Sequence, residues 1–458
     1  MSDKRVKDIV RITIFSLAIV MPTIVYALAG KYVGTQSYEQ RTLALKPSLM
    51  NGNVEMFPED FEAYYSDNMP FRNQLIRLNS YIGYHLFNDT PSEKVVLGKD
   101  GWLFYYGDIE NQLDFWNFSS GQINQITRNL INANNVLNDQ GIEMMLYVVP
   151  DKARIYSEYV SDYIAGRMVE DNSTIQLLNF LSENVPELKV VFPYDTLANY
   201  KSANSDVMLF SKGDTHWNTV GSYLGALDFL SALNEEADSI ENQVIVCEEN
   251  NKLSGDLAVL LNTSVRGANE YAIDYELTGY TKTDIQEVNG FAYEHQQGVA
   301  DEKRNLFVSR DSFALALSDF IAPAFRDSTW VHNDYFEEKQ LFESGADVYV
   351  YECVERQLSS LYDFNISFID IEENVSDGSR VLNISPIVPH PEGKLLRADV
   401  YEVADDAVVD IVTVISDAPL SDCGQIFLED GKRYLVSFVI TDEEANVLEI
   451  RDYKVNLP

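Results

Sequence analysis

Apolar residues along the middle of the chain follow two rhythms. From Ile142 to Val149 they form an almost unbroken run (Met144-Met-Leu-Tyr-Val-Val149) that Pro150 stops. A short apolar run ended by proline predicts a strand buried on both faces, as in parallel sheets. Val190 to Phe192, Leu306 to Val308 and Val348 to Tyr351 predict further strands. Between them, residues 121–139, 174–184, 217–233 and 312–325 carry apolar positions at helical spacing. Strands alternating with helices predict a doubly wound parallel sheet of α/β class. In such sheets ligands sit beyond the carboxyl ends of the strands. Upstream, Phe61, Tyr64, Phe71, Leu75, Leu78 and Ile82 recur with a helical period and predict one or two helices. Lys99-Asp100-Gly101 lies between two apolar runs and predicts a hairpin turn.

The two ends have other patterns. After Arg11 no charged residue occurs from Ile12 to Gly30. Those positions predict one helix that just spans a hydrocarbon core of roughly 30 Å at about 1.5 Å per residue. Basic residues precede the run, which puts the N-terminus in the cytoplasm and the rest outside the cell membrane as a single-pass protein. A cleaved signal peptide is the competing reading, with Ala27-Leu28-Ala29 as the small-x-small site. The C-terminal part shows short alternating runs at Leu395–Val403, Val408–Ile415, Tyr434–Ile440 and Val447–Val455, with 442–446 as a hairpin loop. That pattern predicts an all-β sandwich. The expected division is a basic tip and transmembrane anchor (1–30), a polar stalk (31–56), an α/β domain (57–370) and a β-sandwich (371–458).

Charge narrows the partners. The chain has 458 residues and a net charge of -38. The first thirty residues carry +2, so the rest carries -40; residues 371–458 alone carry 18 acidic against 7 basic side chains. Such a surface repels phosphate backbones and excludes nucleic acid as a natural partner. Three cysteines without a CxxC pair and five scattered histidines give no zinc ribbon or His-rich metal site. No metal and no organic cofactor is implied.

Three loops that follow predicted strands carry reactive side chains: Pro150-Asp-Lys152-Ala-Arg154, Lys212-Gly-Asp214-Thr-His216-Trp217-Asn218 and Arg310-Asp311-Ser312-Phe313. A serine nucleophile needs a neutral imidazole to take its proton and a carboxylate to fix the tautomer. Asp214, His216 and Ser312 could supply these. The bland readings stand beside this one. Asp311 or Ser312 could be only a helix cap, Asp214 could cap the 217–233 helix, and Asp-x-His could be half of a metal site. Lys152 and Arg154 could be solvated loop charges.

The ordered set Gly98-Lys-Asp-Gly-Trp-Leu-Phe104, Pro150-Asp-Lys152, Asp214-Thr-His-Trp-Asn218 and Asp311-Ser-Phe313 resembles the SGNH hydrolase-like proteins of polysaccharide O-acetylation. These include the alginate O-acetyltransferase group, and the resemblance is closest to the Gram-positive DHHW-motif proteins. Phe61–Arg72 and Tyr351-Glu-Cys-Val-Glu-Arg356 are similar to that family too. Thr215 stands where the DHHW pattern has histidine, and Arg310 where glycine is usual. The resemblance implies an SGNH-like fold with Ser312 as nucleophile, His216 as base and Asp214 as its orienting carboxylate. It implies acetyl transfer to, or removal from, a cell-surface or exported polysaccharide, with a multi-span membrane O-acyltransferase as acetyl donor. Lys152, Arg154, Arg310, Trp217 and Asn218 are the expected oxyanion or substrate-binding residues. The alternative is a catalytically silent wall or polysaccharide-binding protein that keeps the fold.

Overall fold

The computed structural model describes residues 3–29, 43–47 and 56–366, the last with short breaks of which 263–268 is the longest, and the strand segments between 371 and 456. The strands of the first part are β1 (Val95–Leu97), β2 (Leu103–Tyr105), β3 (Glu143–Val149), β4 (Lys189–Val191), β5 (Ile240–Glu249), β6 (Asn269–Leu277), β7 (Tyr280–Val288), β8 (Phe291–Gly298), β9 (Asn305–Arg310), β10 (Asp327–His332) and β11 (Val348–Val354).

The apolar run at β3 does what its pattern predicts. Met144, Leu146 and Val148 enter one core, and Met145, Tyr147 and Val149 enter another on the opposite face. β11 alternates likewise, with Tyr349, Tyr351 and Cys353 on the first side and Val348, Val350 and Val354 on the second. Each fully buried large apolar side chain contributes on the order of 1.5–3 kcal/mol. A strand covered on both faces is therefore held at its centre. The sheet order is β4-β3-β11-β9-β10-β8-β7. The first five strands run parallel, and β8 and β7 add an antiparallel edge. Val354 pairs with Val149, and Tyr351 with Ser309. The carboxyl ends of β3, β11 and β9 thus open side by side.

The helices flank this sheet. Ser120–Asp139 starts at a Ser119–Gln122 capping box and packs on the first face. Ser173–Asn184 joins it, capped by Asn172. Thr219–Ala232 covers the second face. The single helix expected over 312–325 is instead a 3-10 turn (Ser312–Leu315), a short α-helix (Ser318–Ile321) and a second 3-10 turn containing Pro323. Proline lacks the N–H that a longer helix would need there. β10 and the β7–β8 hairpin are strands that the apolar pattern did not mark.

Phe57–Asp67 and Arg72–Ile82 are the two helices expected upstream. β1 and β2 form the expected hairpin, with Leu97 opposite Leu103. Asp3–Ala29 is one helix, although several side chains between 18 and 29 lie outside the described residues. Among the described residues no helix is long and apolar enough to cross a membrane. Most of the expected stalk also lies outside the described residues.

At the C-terminal end the strands are β12 (Ile371–Glu373), β13 (Arg380–Leu382), β14 (Leu395–Ala404), β15 (Ala407–Ser416), β16 (Ile426–Leu428), β17 (Arg433–Thr441) and β18 (Val447–Asn456). They form a four-stranded antiparallel sheet, β15-β14-β17-β18, and a three-stranded sheet, β12-β13-β16. The expected hairpin loop at 442–446 lies outside the described residues. Val400, Leu428, Tyr434, Val436 and Phe438 share one core with Ile126 and Leu130 of the α/β part.

Candidate active site

Ser312, His216 and Asp214 meet at the carboxyl end of the sheet. Ser312 opens the turn that follows β9. Asp311 caps that turn by accepting from the Phe313 N–H (2.7 Å), so the capping reading holds for Asp311. The second Asp311 oxygen accepts from the Val354 N–H (2.7 Å), and the Asp311 N–H donates to Glu352 (2.8 Å). These bonds fix the turn against β11 and leave Ser312 half-buried at the surface of the site.

His216 comes from the loop before Thr219–Ala232. The Trp217 indole donates to the Phe313 carbonyl (3.0 Å), which ties this loop to the Ser312 turn. Asn218 caps the helix, accepting from the Val220 and Gly221 N–H groups and donating to the Met208 carbonyl. The cap that Asp214 could have supplied belongs to Asn218. Asp214 accepts from the His216 N–H (2.9 Å) and lies 2.6 Å from His216 Nδ1. A carboxylate can only accept, so Nδ1 carries the proton and neutral His216 presents Nε2 as an acceptor. Nε2 lies 2.7 Å from Ser312 Oγ.

Electrostatics follow the same geometry. Burial pulls the His216 pKa down, but the hydrogen bond and charge of Asp214, with the charge of Asp256, outweigh it and hold the pKa above the ordinary histidine value; Arg356 opposes them. Burial pushes Asp214 up, and the His216 hydrogen bonds and charge, helped by Lys152, bring it down to about 2.

The expected oxyanion and substrate-binding residues are placed differently. Lys152 is fully buried. Its ammonium faces the carbonyls of Leu103, Ser211, Lys212 and Asp214 at 2.7–3.0 Å, with Trp102 and Phe104 as walls. An ammonium has three protons, so its donor capacity is spent on these carbonyls. Lys152 thus pins the hairpin, the Pro150 loop and the His216 loop together, which gives three separate motifs one physical purpose. Arg154 is paired with Glu355 (2.6 Å), with only 9% of its side chain exposed, and it also donates to Asn172. Arg310 is 2% exposed and donates to the Asp311 carbonyl. It ends β9 in extended backbone, so a side chain is tolerated where the family has glycine. Trp217 and Asn218 are the structural ties described above.

Two features escaped the sequence reading. One is a sealed polar cluster in which Arg356 pairs with Asp108 (2.9 Å) and Asp151 (3.4 Å), while Asn111 and Gln112 donate to Asp151 and Glu355. Burial pushes Asp108 up to about 6 against the pull of Arg356 and Lys152. The other is Asp256, which stands beside Asp214 and His216. These three are ligand-type side chains close enough to hold one ion, yet their donor and acceptor atoms are already bonded to one another and to Thr215.

Residues 95–305 match the family described as "SGNH hydrolase-like domain, acetyltransferase AlgX". That span contains Asp214 and His216 and stops before Ser312. A probable alginate O-acetylase AlgJ of Pseudomonas syringae pathovar tomato is 26% identical over 204 residues, 44% of this chain and 48% of that protein. The chain thus spans about half the length of the curated relatives it matches. Among solved structures, Bacillus cereus PatB1 is 16% identical with a TM-score of 0.47, covering 59% of this chain and 99% of its own. A DHHW family protein of Eubacterium siraeum is 14% identical with a TM-score of 0.40, covering 55% and 90%. The chain resembles the SGNH hydrolase-like proteins of polysaccharide O-acetylation, as its ordered motifs imply.

Proposed function

We propose that this chain is a serine-dependent O-acetyltransferase or acetylesterase acting on a cell-surface or exported polysaccharide. The observation that carries the reading is the unbroken relay from Ser312 Oγ to His216 Nε2 (2.7 Å) and from His216 Nδ1 to Asp214 (2.6 Å). Ser312 Oγ attacks the acetyl carbonyl carbon while its proton passes to His216 Nε2. The carbonyl π electrons move onto oxygen, and the Ser312 N–H at the head of its turn is the proposed donor to that oxyanion. Collapse expels the donor alcohol, which takes the proton from His216 and leaves acetyl on Ser312. A sugar hydroxyl, or water, then gives its proton to His216 and attacks the acetyl group, and Ser312 recovers the proton as the second intermediate collapses. Asp214 holds the imidazole in the tautomer this needs.

The uncharged run Ile12–Gly30, of which Ile12–Ala29 lies in the helix Asp3–Ala29, supports a membrane anchor with the N-terminus in the cytoplasm and the site outside. The names of the relatives support a polysaccharide as acceptor, and the family resemblance supports a multi-span membrane O-acyltransferase as acetyl donor. Lys152 and Arg310 are buried and Arg154 is paired with Glu355, so the net charge of -38 favours a neutral glycan over an anionic one. The alternating strands of 371–458 support a β-sandwich module beside the α/β domain. The test is acetyl release from p-nitrophenyl acetate or an acetylated glycan. Wild type should release acetyl, and Ser312→Ala and His216→Ala should fall to background. Equal rates in all three would leave only the silent, polysaccharide-binding reading.

A further inference from the structure

The Asp214–His216 loop does not stand alone. A second segment, Gly255 to Leu261, is folded against it. The Ala258 N–H donates to the Gly213 carbonyl (3.0 Å), and the Asp256 N–H donates to the outer oxygen of Asp214 (3.3 Å). Gly255 has φ +92, and a Cβ there would run into the Gly213 carbonyl, so only glycine permits the approach. Asp256 then accepts twice from Thr215: from its N–H (2.8 Å) and from its hydroxyl (2.5 Å). The Thr215 hydroxyl is 3.3 Å from His216 Nδ1, and Asp256 itself is 3.9 Å from that nitrogen. Thr215 is the residue that departs from the DHHW pattern, and here its hydroxyl bridges the histidine to a second carboxylate.

We propose that Asp256 is a second positioning carboxylate of the site, acting on His216 through Thr215 and through Asp214. It holds the loop that carries the base, and its negative charge favours the imidazolium that forms when Ser312 gives up its proton. The proposal rests on the reading of Ser312, His216 and Asp214 given above, and it adds a residue that touches no reacting atom. The charged groups around His216 are Asp214 on its own loop, Asp256 on the helix Asp256–Leu261 and Arg356 on the turn after β11, with Lys152 behind Asp214. Two are anionic and raise the basicity of the ring. Arg356 lowers it. Removing Asp256 tips that balance towards the neutral ring.

The test is a titration of His216 in the full-length chain by carbon-13 NMR of labelled histidine, with His216→Gln to assign the resonance. In Asp256→Asn the midpoint should move to lower pH, and Asp256→Glu should bring it back towards wild type. The other histidine resonances report whether each variant is folded. If the Asn variant does not fold, Asp256→Ser, which keeps an acceptor for Thr215, carries the same prediction. An unchanged His216 midpoint, or a shift that Glu fails to reverse, overturns the proposal and leaves Asp256 a packing residue. The titration needs no turnover. A shifted midpoint in a protein that releases no acetyl would overturn the enzyme reading alone. An active protein with an unshifted midpoint would overturn the Asp256 proposal alone.

Discussion

Two sets of charged side chains stand side by side at the carboxyl ends of β3, β9 and β11, and they obey opposite rules. In the set around Glu355, Glu355, Asp108 and Asp151 have fully buried side chains and are paired with Arg154 and Arg356. In the set around His216, the His216, Asp214 and Asp256 side chains are 26–30% exposed. The closed set is tied together by ion pairs and hydrogen bonds away from the surface, although Asp108 Oδ2 has no partner. The open set ends on a hydroxyl that faces outward. Burial is therefore a poor guide to reactivity here. Lys152, fully buried, and Arg154, with 9% of its side chain exposed, hold loops, while the half-exposed histidine is the group poised to exchange a proton.

Substitutions can break this comparison from either side. The largest expected effect is on the open set. Asp214→Asn should lower the acetyl-release rate by about 10⁴-fold, because the imidazole loses its tautomer and orientation. The melting temperature should move little by comparison. In the closed set the effect reverses: Glu355→Ala should cost about 3–5 kcal/mol of folding stability by stranding Arg154 in the interior, which denaturant unfolding would read. Replacing Arg154 and Glu355 together with apolar residues of similar size should cost far less than either single change.

Next in size is the pH dependence. His216 must be neutral to accept the Ser312 proton. Below the His216 pKa, which is held above the ordinary histidine value, the rate should fall about tenfold per pH unit. The linkage for stability has the opposite sense: a raised histidine pKa stabilises the fold at low pH, and that contribution is lost as pH rises through it. Asp214, brought down to about 2, stabilises the fold above the ordinary aspartate range and loses this only in strong acid. Activity and stability should therefore part company on the acid side. The smallest expected effect is at the helix cap, where Asn218→Ala should cost about 1 kcal/mol and leave substrate affinity unchanged.

Much of this was legible in the chain. The β3 run and its Pro150 stop marked the strand, and the loops after β3 and β9 marked the site. Asp214 and His216, two residues apart, together with Ser312 after a strand, marked the relay. What was not legible depends on partners far away in sequence. Lys152 reads as a loop charge until Trp102 and Phe104 wall it in. Arg356 shows no sign in its local sequence of its partner Asp108, 2.9 Å away. Asp256 follows a segment with no regular apolar pattern and carries no signal except Gly255-Asp256, a turn-like pair. The single helix expected over 312–325 does not form: Phe313, Leu317, Phe320 and Ile321 do line a buried face, but on two short turns and one short helix that Pro323 keeps from joining.

The most direct measurement of the central claim is the site of acylation. The full-length chain would be incubated with p-nitrophenyl acetate, quenched in acid, digested and examined by mass spectrometry. The account predicts one acetyl group on Ser312 in the wild type and none on that peptide in His216→Ala. Acetyl on another residue, or equal labelling of Ser312 with and without His216, would contradict it.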